Sequence, residues 1–196
     1  ALIGRLSVYG PGAARLHEEI LTVTARWSDL ASRKGPLTPY ARDAEARTLA
    51  LLEQSLKPGA SSSVPEATSQ QLLASLTTDI ADLLPHLDKR GNEAKADAEK
   101  RLLERGQAEA DSLRRILEEQ KKRVLAQMGR YDEDQLLLRL DDEREQLKSN
   151  RRYWDRWLEN VELDLQREPG RILDFYRTAS FRLEPVGIAY LWPVTH

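Results

Sequence analysis

The sequence contains no cysteine, which excludes disulfides and thiolate-bound metal and permits a reducing compartment. Aromatic residues are scarce, with two phenylalanines, four tryptophans and six tyrosines among 196 residues, too few for a thick globular core. No apolar run approaches the roughly eighteen residues that a membrane-crossing helix needs, and the opening residues show no signal-peptide pattern. The expected setting is cytoplasmic and away from membranes. The net charge of −2 supplies no bulk attraction to nucleic acid or acidic lipid. The only methionine is Met128 and the chain begins at Ala1, which reads as a piece of a larger protein.

Chemical signatures are missing as well. There is no phosphate-binding G-x-x-x-x-G-K-[ST] loop, no strand–G-x-G-x-x-G–helix and no G-x-S-x-G elbow. His17, His86 and His196 lie far apart, and His17-Glu18-Glu19 lacks the second histidine one helical turn on, so no metal site is expected. No nucleophile, base and orienting group can be assembled, so this chain by itself is not expected to be an enzyme or to hold a cofactor.

What the chain does have is charge on helical spacing. Between Asp88 and Glu168, Leu103, Ala110, Leu117 and Val124 recur every seven residues, with Leu113 between them. Leu140, Leu147, Trp154 and Val161 repeat the pattern, joined by Leu137, Leu158 and Leu165. Such stripes belong to helices packed along helices. Gly129-Arg130-Tyr131-Asp132 separates the runs as a turn, with Asp132 or Asp134 placed to cap the second. Each run would span roughly 55–60 Å, and together they predict the two arms of one antiparallel hairpin over 88–168.

Before the hairpin, Leu2–Val8 is a short apolar stretch that reads as a strand or as the tail of an earlier element. Leu16, Ile20 and Val23 or Trp27 fall on one face and predict an amphipathic helix to about Ala31. A second helix is expected from Tyr40 to Leu56, with Ala44, Leu49, Leu52 and Leu56 inward, closing an N-terminal segment over 1–56. Residues 57–65, small and polar with a proline near each end, form the linker. A connecting helix over 66–87 should stop or kink at Pro85, and Gly91 and Gly106 predict a weak start to the first arm, before roughly Ala94. Over 169–196, Pro169-Gly170 should break the chain before a short helix from Arg171 to Phe181. Pro185–Pro193 then reads as one strand, pairing either with Leu2–Val8 or with a sheet outside this chain. The expected fold is mostly α, a helical base plus a long antiparallel coiled-coil hairpin, with a short β-element near the termini.

One patch interleaves bases with rings, Asn150-Arg151-Arg152-Tyr153-Trp154-Asp155-Arg156-Trp157. Arginines on phosphates with rings against bases is one way to hold nucleic acid. A seam position for Trp154 and Trp157, with the arginines paired to acids, is the favoured alternative. Lys121, Lys122 and Arg123 make a second basic run, diluted by Glu118 and Glu119. Arg151, Arg152, Arg156, Lys121, Lys122 and Arg123 are therefore the candidate nucleic-acid contacts. The acids Asp132-Glu133-Asp134 and Asp141-Asp142-Glu143 read as a helix cap and a solvated face.

Two segments carry a resemblance. Leu2-Ile3-Gly4-Arg5-Leu6-Ser7-Val8-Tyr9-Gly10-Pro11-Gly12 through Glu19 resembles the stretch that follows the motor in large bacterial Snf-type helicases. Glu168-Pro169-x-Arg171-Ile172, with Arg182-Leu183-Glu184-Pro185-Val186-Gly187-Ile188-Ala189-Tyr190-Leu191-Trp192-Pro193, resembles their C-terminal end, the Snf-like helicases of DISARM-type anti-phage systems included. The resemblance implies a non-catalytic accessory region of an ATP-driven motor on double-stranded DNA. ATP and Mg²⁺ would be bound in that motor and not here. Partners would be the rest of the motor, duplex DNA or a defence-complex subunit. The alternatives left open are a stand-alone coiled-coil module that dimerises through an exposed stripe, and a helical nucleic-acid-binding module.

Overall fold

The computed structural model describes residues 1–27, 35–57, 64–129 and 141–192. The chain divides into two compact units, one made of Ala1–Tyr9, Ala13–Ala98 and Thr178–His196, the other of Gly10–Gly12 and Glu99–Arg177. Most described residues are helical, and the strands form one small antiparallel sheet.

In the first unit, β1 (Leu2–Tyr9) is the central strand, flanked by β2 (Arg15–Val23) and β3 (Ser180–Ile188) in the order β2-β1-β3. The N-terminal stretch thus pairs with the C-terminal tail inside this chain. Leu2 stands opposite Ile188, and Tyr9 opposite Ser180. The backbones of Ala1 and Ala189 extend the ladder by donating to each other's carbonyls at 2.7 and 2.8 Å.

Strand alternation divides the sheet into two faces. Leu2, Gly4, Leu6 and Val8 are buried on one. On the other, Arg5 reaches Glu184 of β3 at 2.8 Å and Glu18 of β2 at 3.8 Å, a cross-strand pair to each side. The hydrogen bond from Arg5 holds the Glu184 carboxyl below the usual carboxylate range.

Two elements of this unit differ from the expectation. Residues 15–23 form β2, not a helix. Leu16, Ile20 and Val23 fit a helical stripe, but the run Ile20-Leu21-Thr22-Val23-Thr24 is rich in β-branched residues, and β1 supplies partners for eight of the nine residues. The tail strand is Ser180–Ile188, five residues earlier than Pro185–Pro193. Its signal is the alternation Phe181-Arg182-Leu183-Glu184, in which Glu184 falls opposite Arg5.

Helix α1 (Arg42–Ser55) agrees with the expected Tyr40–Leu56, although Leu56 is exposed rather than inward. Helix α2 runs unbroken from Glu66 to Gly129, through Pro85, Gly91 and Gly106. Pro85 leaves the carbonyl of Ala81 without its helical donor, but both residues are exposed and water can serve it. Gly91 costs helix propensity and returns close packing: a Cβ there would lie 2.5 Å from Leu183 Cδ2 on β3. Leu83 and Leu87 of α2 meet Leu2 and Val23 in the core, with Ile80, Leu84, Leu183 and Ile188 around them. The tail is tied down by Tyr190, whose hydroxyl donates to the fully buried Asp79 at 2.6 Å.

The second unit contains the rest of α2 and α3 (Asp141–Phe175). Its buried positions are Leu102, Gly106 and Ala110 on α2 and Val161 and Pro169 on α3. The expected stripe is displaced by one residue at its start, since Leu103 is 66% exposed and Leu102 is 7%. The four-residue spacing through Gly106 and Ala110 accounts for this, because the small side chains form the face that permits close approach. Leu113, Leu117 and Val124, and Trp154, Leu158 and Leu165, are half-buried on the two helices. A Cβ on Gly106 would lie 3.0 Å from Tyr176 Cβ, and Lys121 pairs with Glu162.

Pro169-Gly170 does not end the second helix. The ring of Pro169 is itself buried four residues after Leu165, and Ile172 and Tyr176 continue that face, so burial offsets the lost hydrogen bond. Gly170, by contrast, has nothing within 4 Å of where a Cβ would stand. Gly170→Ala is therefore expected to stabilise this unit by up to about 1 kcal/mol. Urea unfolding followed by far-ultraviolet circular dichroism checks it, and a loss of stability would show that the helix strains there. The expected turn residues 130–132, the caps Asp132 and Asp134, Leu137, Leu140, linker positions 58–63 and His196 lie outside the described residues.

Candidate functional site

The six basic candidates lie on two helices of the second unit and differ in how their charge is met. On α2, Lys121 sits beside the half-buried face and pairs with Glu162, and Arg123 reaches Glu119 one turn back at 3.7 Å. Lys122, exposed, has no carboxylate partner among the described residues. Nearby Arg114 is met by Asp111 at 3.0 Å. The basic run of α2 is thus largely neutralised by neighbouring acids, as expected of a solvated helix face.

On α3, Arg151, Arg152 and Arg156 are all exposed. Arg156 donates Nε to the carbonyl of Arg152 at 3.2 Å, which lays its side chain back along its own helix. Trp154 and Trp157 are half-buried, in keeping with a seam position, and the adjacent Tyr153 is exposed. The helix brings the three arginines together on one segment. Lys121, Lys122 and Arg123 stand on the other helix, α2.

Elsewhere in the second unit, Tyr176 donates its hydroxyl to Glu109 at 2.8 Å, and Glu109 also accepts from Arg105 Nε at 2.9 Å. The guanidinium of Arg105 stands over the Tyr176 ring, 5.5 Å from its centroid. These bonds, Arg105's first, hold the Glu109 carboxyl below its ordinary value, and the carboxylate in turn raises the phenol of Tyr176. The cluster fixes the end of α3.

A cleft does exist in the first unit, and sequence reasoning missed it. It encloses about 690 Å³ and is lined by Trp27, Tyr40, Leu51, Leu72, Tyr190 and Trp192 among others. Four of those six are aromatic residues from three distant segments, so no local pattern announces it. Among the described residues Arg26 is its one charged side chain and no acid or histidine lines it, so they supply no pair of titratable groups for acid–base chemistry.

Among the described residues no group of histidines and acids is placed to hold a metal ion, and no helix is long and apolar enough to cross a membrane. No family model, curated protein or solved structure matches the chain.

Proposed function

We propose that this chain is a non-catalytic accessory region of an ATP-driven, Snf-type DNA motor, comprising a sheet-bearing unit and an antiparallel helical hairpin of coiled-coil character. The observation that carries the reading is the sheet itself. The two segments that resemble the flanks of such motors stand at opposite ends of the sequence, and they meet strand to strand as β1–β3. Support for the hairpin comes from Glu109 meeting Tyr176 and Lys121 meeting Glu162, so that positions fall along α3 as they rise along α2. On this reading nucleotide and Mg²⁺ belong to the motor, and the chain couples that motor to a partner subunit or to duplex DNA. Reading the gene upstream of the codon for Ala1 tests it. An ATPase motor in the same frame is expected, and a frame without one overturns the proposal.

A second reading, a dimerising coiled coil, draws on the exposed Leu103, Ile116, Leu125 and Leu163. It requires association that rises with concentration in sedimentation equilibrium, and a strict monomer rules it out.

A further inference from the structure

Among the rings at 153–157 of α3 the one presented to solvent is Tyr153, 61% exposed, while its neighbours Trp154 and Trp157 are half-buried. At 3.6 residues per turn, Arg152 adjoins Tyr153, Arg156 lies one turn on, and Asn160 lies two turns on. Arg152 and Arg156 have no carboxylate partner among the described residues, and the bond from Arg156 Nε to a backbone carbonyl leaves its outer nitrogens available. Across positions 148–157 the sequence carries more bases than acids, Arg152 and Arg156 among them, in a chain of net charge −2. The basic run of α2 is different, since Lys121, Arg123 and Arg114 there are met by acids. Unopposed guanidinium groups and an exposed ring therefore coincide on this segment of α3.

We propose that this face binds single-stranded nucleic acid, with Arg152 and Arg156 on backbone phosphates and a base stacked on Tyr153. Phosphate neutralisation supplies affinity without regard to sequence, and every base has a face to offer a ring. The strandedness follows from the ring. In a duplex each base already has its faces covered by its neighbours, so a side chain on a convex helix surface meets only phosphates there. An unpaired strand can turn a base onto Tyr153 and gain both contacts. The inference rests on the exposure pattern of α3 and needs no upstream motor, so it stands or falls separately from the proposal above.

Fluorescence anisotropy of a labelled oligothymidylate, and of a duplex of equal length, with the full chain tests it. The single strand is expected to bind more tightly than the duplex and to weaken between about 50 and about 200 mM salt. Tyr153→Ala should weaken single-strand binding about 5- to 100-fold and leave duplex binding nearly unchanged, while Tyr153→Phe, which keeps the ring, restores it. Arg152→Glu with Arg156→Glu should abolish binding to both, with helical content by circular dichroism unchanged. No binding, equal binding of duplex and single strand, indifference to Tyr153→Ala, or equal capture of labelled polyglutamate would each overturn the proposal, the last by marking the face as a site for acidic polypeptide.

Discussion

Leu87→Ala is expected to destabilise the sheet-bearing unit by about 2–5 kcal/mol, toward the upper end of what large-to-small core changes cost. Leu87 is 0% exposed, and its methyl groups occupy the space above Gly4, where a Cβ would come within 2.7 Å of Cδ2. Two costs follow from that geometry. The apolar surface of the leucine is lost from the core, and the hole it leaves borders a position on β1 that has no side chain to collapse into it. Leu87→Met, which conserves volume on a flexible stem, should cost less than about 1.5 kcal/mol. Gly4→Ala alone should be unfavourable because it meets Leu87 directly, and it should be tolerated better in the Leu87→Ala background, where the obstruction is gone. Urea unfolding of the four proteins reads the cycle. A cost below about 1 kcal/mol for Leu87→Ala, or strictly additive effects with Gly4→Ala, would show that Leu87 and Gly4 do not share that space.

The residues that misled sequence reasoning are those whose local preference yields to a partner elsewhere. Leu16, Ile20 and Val23 satisfy a helical spacing as well as they satisfy a strand, and β1 decides between them by pairing along Arg15–Val23, with an irregularity at Leu16. Pro85 and Pro169 carry a real cost in a helix, but solvent serves the first and packing offsets the second. Gly91 and Gly106 look like breakers in sequence, yet each lies where another element comes closest, Leu183 in one case and Tyr176 in the other. The mostly helical class, α1, and the half-buried or buried Trp154, Leu158, Val161 and Leu165 were legible because their periodic signal is long and local.

Candidate sites were legible in composition but not in orientation. The basic and aromatic residues at 150–157 stand out in the sequence, and Trp154 is half-buried as its register requires. Which ring reaches solvent depends on the rotation of α3 about its axis, which neighbouring side chains set. The aromatic cleft of the first unit joins Trp27, Tyr40 and Tyr190, and no window of sequence contains all three.

The ion pair between Glu45 and Arg90 was equally hidden, because Glu45 looks like an ordinary first-turn acid favoured by the helix dipole. In the structure Glu45 is 8% exposed, and Arg90 of α2 donates both to its carboxylate, at 2.5 Å, and to the carbonyl of Thr22 on β2. One guanidinium therefore joins α1, α2 and the sheet. Removing it strands a buried carboxylate and a backbone acceptor together, and Arg90→Met is expected to cost about 3 kcal/mol, the low end for a broken buried pair because Arg90 keeps some solvent access. Glu45→Leu should cost less, since Arg90 retains the Thr22 carbonyl. In the double variant the carboxylate is gone, an apolar pair fills the site and only the Thr22 carbonyl lacks a donor, so the loss should fall well below the sum of the two single losses. A double-mutant cycle by urea unfolding measures that difference directly. Additive losses would mean that each residue acts through its own packing and that the charge pairing contributes nothing to holding α1 in place. A positive coupling would make Arg90 the residue that converts a strand, a marginal helix and the long helix into one cooperative unit.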